Sequence, residues 1–373
     1  MERFDNVYQV WQPMKYGTAK KEEILDAALD SNLYGLQLKM DGSSYIWAKD
    51  LDGSVHLYGD KISKKTGEIV DKIDNVPHMK DWADKHFPIG TQFCVEIFSF
   101  YDWSGLNPEP QKHSTSKFVN SIMLSNPDKA AARQRETDWV GAYMFDCLYY
   151  DKEPIYKQDF CDRYKQILAF EHMPEIYDDK PHWLSFAEVY TKNKRERLSM
   201  WLSEGFEGGV LKLLHSEGKL NAMHHVTEIG ETAKRPAHVS YKIKQMDTLD
   251  VVCLGVNYPE KEYKGKNPET YQYRDEEGNP VNRLWALHMI DAIDIGAWDS
   301  EANEFVKIGT VASGLDDEMR KRGFDDPDSL INHVFEITCM SIDKKAKTLR
   351  HPRLMFERED KMAKDCLMND IFG

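Results

Sequence analysis

The chain has 373 residues, with 49 basic against 63 acidic side chains and a formal charge of −14 at pH 7. That balance argues against a protein that coats nucleic acid indiscriminately, because affinity for phosphates rests on neutralising them with Lys and Arg. At 41% hydrophobic and 30% charged residues the composition excludes a disordered chain, and the length points to two domains with a sizeable core.

No apolar run reaches the roughly 18 to 20 residues that a membrane span needs, and the start, MERFDNVYQV, is acidic and aromatic rather than a basic, apolar signal. The expectation is a soluble, cytoplasmic protein. Six cysteines, Cys94, Cys147, Cys161, Cys253, Cys339 and Cys366, are scattered without a Cys-x-x-Cys pair. A disulfide framework or structural zinc site is therefore not expected.

In chain order, residues 20–31 carry Ile24, Leu25, Ala28 and Leu29 at helical spacing. The runs LYGLQLK (33–39), SYIWAK (44–49) and VHLY (55–58) follow, separated by DGS and DLDGS, and this turn chemistry predicts antiparallel hairpins. TQFCVEIFSF (91–100) and DWVGAYMFDCLYY (138–150) are further strands. Helices are predicted near 158–170 and 189–204, before GGVLKLL (208–214) and HVSYKIK (238–244) resume the strand pattern. After Met246 come LDVVCLGV, RLWALHMIDAIDI, EFVKIGTV, HVFEITCM and RLMFER, with one short helix at DDEMRKRG. Five strands at this spacing fit a small β-barrel of the OB type, with 259–280 as a long inserted loop.

Lys39-Met40-Asp41-Gly42 stands where an apolar strand meets a turn, a place that can enclose a lysine amine beside a carboxylate. Taken alone it reads equally as a solvent-facing turn. Further along stand Glu96 in FCVEIFSF, Phe145-Asp146 in YMFDCLYYD, Glu207-Gly208-Gly209-Val210-Leu211-Lys212, and Lys242-Ile243-Lys244. Arg358-Glu359-Asp360-Lys361 follows the last strand.

With these residues in this order, the chain resembles the covalent nucleotidyltransferases, most closely the minimal two-domain, bacteriophage-like ATP-dependent DNA ligases. The resemblance runs from about residue 33 to residue 361. It implies an α+β fold, in which a nucleotidyltransferase (adenylation) domain of antiparallel sheets flanked by helices (1–246) precedes an OB-fold β-barrel (247–373). The start of the first motif at Lys39 implies that the separate N-terminal DNA-binding domain of large ligases is missing. The sequence departs from the family at three places: Ser44 stands where the motif usually ends in arginine, Cys94-Val95 where Asp-Gly is common, and Gln37 where many relatives carry glutamate.

The resemblance assigns Lys39 as the nucleophile that takes AMP from ATP. Such an amine must be neutral, and its ordinary pKa is about 10.4, so partial burial, Lys242, Lys244 and a metal are expected to lower it. Gln37, Ser44, Glu96, Phe145, Lys242 and Lys244 are the expected nucleotide contacts, with Phe145 stacking on adenine and the two lysines on one strand face clamping phosphate. Asp41, Glu96 and Glu207 are the expected oxygen ligands of Mg²⁺, for which Mn²⁺ is an expected substitute. Arg358, Asp360 and Lys361 are expected to orient pyrophosphate. Arg163 is either a further basic contact or a helix-surface residue.

Residues 232–246, 341–364 and 111–135 each hold a net charge of +4 inside the acidic chain. Charge runs are commonly solvated faces, but two of these coincide with motif segments. Lys112, Lys117, Lys234, Arg235, Arg350 and Arg353 are thus candidate contacts to backbone phosphates. The segment 111–135 and the loop 259–280 are expected to help hold duplex. The implied activity is the sealing of 5′-phosphate/3′-hydroxyl nicks in double-stranded DNA by a monomer. A ligase that joins RNA or mixed strands, suggested by KMDGSS, and a non-catalytic nucleic-acid-binding relative remain open beside it.

Overall fold

The computed structural model describes residues 8–15, 17, 22–64, 66–102, 109–110, 116–231, 238–244, 247–265, 267–344 and 346–372. The chain divides into two compact units, Met1–Lys244 and Gln245–Gly373, both mixing helix and sheet or built mainly of sheet.

The first unit holds a six-stranded sheet in the order Leu184–Phe186, Gly141–Tyr149, Thr91–Phe98, Ser43–Lys49, Val55–Ile62, Ile69–Asp71. All its pairs are antiparallel except the first, which is parallel. Period-2 alternation sends Trp47, Phe93, Val95 and Ile97 to one face, where the helices Pro77–His86, Ser116–Met123 and Phe160–Glu171 bury them with Met79, Trp82, Phe118 and Phe170. Ile46, Cys94 and Leu148 point the other way and pack with Trp11 and Tyr156. Both faces are covered, so the run QFCVEIF reads as almost continuously apolar.

A separate three-stranded sheet, ordered Ser240–Lys244, Gly208–Leu213, Tyr34–Leu38, packs its outer face on the helices Glu22–Asp30 and Lys194–Ser203 through Leu36, Leu211, Tyr241, Leu29, Leu198 and Trp201. This corrects the hairpin expectation. Ser43–Lys49 and Val55–Ile62 do form a hairpin, but Tyr34–Leu38 pairs with Gly208–Leu213, so Lys39–Gly42 crosses from one sheet to another. Local turn chemistry carries no information about partners 170 residues away.

The basic segment 111–135 also differs from a loop. Within it lie most of the helices Ser116–Met123 and Pro127–Glu136, the latter capped by Asn126, which accepts from the Lys129 amide at 2.9 Å. Asn-Pro is a legible helix start, as is Pro77 for the helix Pro77–His86.

In the second unit five strands run in the order Glu304–Val311, Ala292–Asp299, Asp247–Asn257, Val334–Cys339, Arg353–Glu357, all antiparallel. A bridge between Ser313 and Arg353 joins the two edges, with the Leu354 amide donating to the Ser313 carbonyl at 2.9 Å. Gly314 allows this approach: its φ is +94°, and a Cβ there would stand 2.1 Å from the Leu354 carbonyl oxygen. Val251, Ile293, Ile295, Phe335, Ile337 and Leu354 fill the interior, and the helix Asp317–Asp325 begins at Asp316, whose carboxylate accepts from the Met319 amide.

One expectation for this unit changes. The stretch from Arg283 opens as a short helix, Arg283–Ala286, before its strand starts at Ala292. Segment 259–280 is the expected long loop between two strands, closed on itself: Tyr263 and Tyr271 stack at 3.7 Å, Lys261 pairs with Asp275 at 2.8 Å, and Arg274 donates to the carbonyls of Pro268, Glu269 and Gly278. Its six acidic against four basic residues would repel phosphates, which removes the electrostatic ground for a role in holding duplex. All six cysteines are free, and Cys94, Cys147, Cys253 and Cys339 are buried as expected of small apolar side chains.

Candidate functional site

A cleft of about 570 Å³ opens between the two sheets of the first unit. Gln37, Val210 and Lys242 form one row across the three-stranded sheet, and all three line it. Ser44, Ile46, Tyr58, Glu96, Tyr143 and Phe145 line it from the six-stranded sheet. Lys39 lies where the chain passes between them, its amide donating to the Gly208 carbonyl at 2.9 Å.

Two glycines permit this crossing. A Cβ on Gly42 would come within 2.1 Å of the Ile97 carbonyl oxygen, and one on Gly208, at φ +139°, would come equally close to that of Ile243. Gly42 presses the turn onto the Thr91–Phe98 strand, and Gly208 lets Glu207 reach the amine.

The Lys39 Nζ meets Glu207 Oε2 at 2.5 Å, and the Lys244 Nζ meets Glu207 Oε1 at 2.6 Å. Burial pushes the Glu207 carboxyl up, but the charge of Lys39 and the hydrogen bonds from both lysines outweigh it and hold the group below its ordinary range. Glu96, opposite Ser44 in register, makes no ion pair among the described residues. It keeps a partial opening to solvent but is crowded on nearly every side, and this desolvation pushes its pKa to about 8 against the pull of Lys39. Lys242 is depressed by burial and by the neighbouring charges of Lys39 and Lys244. Asp41 does not line the cleft; its Oδ2 accepts from the Ser116 amide at 3.4 Å.

Phe145 presents its ring to the cleft, and its carbonyl accepts from the Gln37 Nε2 at 3.3 Å. Asp146 next to it points away into the core, accepting from Arg163 Nε and Nη2 at 2.8 and 3.0 Å. Arg163 is fully buried, so it is neither a helix-surface residue nor a cleft contact. Lys212 joins the same carboxylate at 3.3 Å.

Sequence reasoning passed over Lys15, Tyr45, Tyr58, Lys61, Lys72 and Asn120, all of which line the cleft. None stands in a recognisable motif, so pattern alone offered no signal for them. Among the candidate phosphate contacts, Lys112, Lys234 and Arg235 and the side chain of Lys117 lie outside the described residues.

The second unit holds its own cluster. Arg358 Nε and Nη2 each meet Asp360 at 2.8 Å, Arg358 Nη1 meets Asp250 at 3.1 Å, and Lys361 bonds Asp250 as well. The hydrogen bonds from Arg358 lower the Asp360 pKa to about 2. Arg353 is exposed at the start of the last strand, and Arg350 lies on the short Thr348–Arg350 strand.

No family model matches the chain. A DNA ligase of Aeropyrum pernix is 21% identical over 292 residues, covering 76% of this chain and 38% of that protein. A DNA ligase of Thermococcus onnurineus is 23% identical over 359 residues, covering 91% of this chain and 54% of that protein. The chain thus spans about half or less of the length of these curated relatives. Among solved structures, the one named Pmar-Lig_Pre. matches with a TM-score of 0.58 at 13% identity, over 94% of this chain and 68% of that one. This last likeness is one of fold.

Proposed function

We propose that the chain is an ATP-dependent DNA ligase that seals 5′-phosphate/3′-hydroxyl nicks in duplex DNA. The observation that carries this reading is the meeting of Lys39, Glu96, Phe145, Glu207, Lys242 and Lys244, from five separate chain segments, around one amine at one cleft. The named DNA ligases among its relatives support the substrate.

In this reading the neutral Lys39 Nζ attacks the α-phosphorus of ATP. A nitrogen–phosphorus bond forms, the bond to the β-phosphate oxygen breaks, and pyrophosphate leaves. Glu207, 2.5 Å away, stands where it can take the amine's proton. Lys242 and Lys244 offset charge on the phosphate oxygens, and Phe145 offers a flat surface to the adenine. A 5′-phosphate oxygen of the nick then attacks the same phosphorus and frees Lys39; finally the 3′-hydroxyl attacks the 5′-phosphate and expels AMP.

Among the described residues no three His, Cys, Asp or Glu side chains come together as a metal cage. Glu96 nevertheless fits Mg²⁺ or Mn²⁺: it is an oxygen donor whose crowding retains a proton that a divalent cation would displace. Glu207 would be a further oxygen donor, whereas Asp41 stands outside the cleft lining, bonded to the Ser116 amide. Bound metal would supply compensation for charge developing on the transferred phosphate.

We assign the second unit to the OB type. Its meander of three strands, helix, and two returning strands bridged to the third supports this, and Arg358, Asp360 and Lys361 would act on pyrophosphate from it. The working form is proposed to be a cytoplasmic monomer; among the described residues no helix is long and apolar enough to cross a membrane.

The test incubates the protein with Mg²⁺ and α-labelled ATP or GTP, beside Lys39→Ala. Label from ATP on the wild type alone is expected. Absence of label on the wild type, or its retention by the variant, overturns the reading. Sealing of nicked DNA, nicked hybrids and single-stranded RNA then ranks the substrates, and a preference for RNA would overturn the DNA assignment.

A further inference from the structure

We infer that Lys212, buried behind the cleft, is a positioning residue that presets the surface on which the nucleotide base stacks. The inference rests on the reading above for its ligand, an adenine nucleotide.

Lys212 follows Val210 by two residues on the Gly208–Leu213 strand, so it shares the sheet face that Val210, Gln37 and Lys242 present to the cleft. Yet it does not line the cleft and is only 1% exposed. Its ammonium lies between two rings, 5.0 Å from the centroid of Phe145 and 4.3 Å from that of Phe160. It donates to the Phe145 carbonyl and to Asp146 Oδ2, each at 3.3 Å. The Phe145 carbonyl is also the acceptor for Gln37 Nε2. One main-chain oxygen therefore ties the stacking ring to Gln37, and Lys212 holds that oxygen and touches that ring.

Stability alone gives little reason for a lysine here. Asp146 already has a bidentate partner in Arg163 and accepts from the Cys147 amide at 2.9 Å. A second buried cation carries its own desolvation cost, and an apolar side chain of similar length would avoid it. What the lysine adds is order: Phe145 is fixed before the base arrives, so binding need not spend free energy on immobilising it. Gln37, oriented by the bond from its nitrogen to the Phe145 carbonyl, offers its own carbonyl oxygen as an acceptor. That acceptor suits the 6-amino group of adenine and opposes the 6-keto group of guanine.

The test is Lys212→Met, which leaves Arg163 and Asp146 as a balanced pair. Expected are a melting temperature equal to or above that of the wild type, a KM for ATP in self-adenylation raised about tenfold, an unchanged rate at saturating ATP, and a reduced preference for ATP over GTP. A filler role would leave KM and the ATP-to-GTP ratio unmoved, and that result overturns the inference while leaving the ligase reading intact. If Lys212→Met does not fold, Lys212→Gln, which keeps a donor for the Phe145 carbonyl, is put through the same titration, with a smaller rise in KM expected and an unchanged KM again overturning the inference. Failure of the wild type to label at all removes the ligase reading and this inference together.

Discussion

Two clusters in the first unit share one stoichiometry, a carboxylate between two cations. Lys39–Glu207–Lys244 reaches the cleft through Lys39, with side chains 19%, 10% and 27% exposed. Arg163–Asp146–Lys212 is sealed in the core, with none above 2%. The difference lies in what each group can do next. At the cleft, water and substrate can replace any partner, so a proton or a phosphate can move. In the core, no replacement exists, so the same charges act as a fixed frame.

Removing the reactive amine should have the largest effect of all. Lys39→Ala is expected to reduce covalent labelling to background while leaving the melting temperature near that of the wild type, since its ion pair can be replaced by water. In the sealed cluster, Asp146→Asn should leave two buried cations uncompensated and destabilise the protein by about 3–5 kcal/mol in urea unfolding. A shift below about 1 kcal/mol there would erase the proposed contrast between frame and reactive cluster.

Glu96 sharpens the comparison, because it is a crowded acid without an ion pair. Its pKa is raised from 4.5 to about 8 in the fold, so between those values the folded state binds more protons than the unfolded one. Stability must therefore fall as pH rises through this window, by about 5 kcal/mol in total. Glu96→Gln should flatten that dependence and melt higher than the wild type above the window, as thermal scans on either side of it would reveal. A small stability change is expected for Glu207→Gln, about 1 kcal/mol or less, because both lysines retain access to water. Its labelling rate should nonetheless fall about a hundredfold through loss of the proton acceptor.

Much of the site was legible before the fold. Lys39, Glu96, Phe145, Glu207 and Lys242 stand out because reactive residue types recur beside strand-like runs in a recognisable order, and the structure brings them to one cleft. The strands themselves were legible from alternation and turn residues. Arg163 was not, because an arginine on a helix reads as surface unless its buried partner, 17 residues earlier, is seen to face it. Lys212 reads only as the end of a motif for the same reason. The helix Pro127–Glu136 has a readable start at Asn126-Pro127, within a stretch whose basic charge reads first as a solvated face.

By itself the sequence determined the local alphabet: which stretches alternate, where turns and caps fall, and which lysines and carboxylates stand at strand ends. These depend on neighbours within a few residues and on side-chain chemistry alone. Only the tertiary structure decided that Tyr34–Leu38 leaves Ser43–Lys49 for a second sheet, that Glu207 lies between Lys39 and Lys244, and that Arg163 and Lys212 share one buried carboxylate. Strand partners and ion pairs are set by packing between segments distant in sequence, where burial fixes how strongly each charge acts.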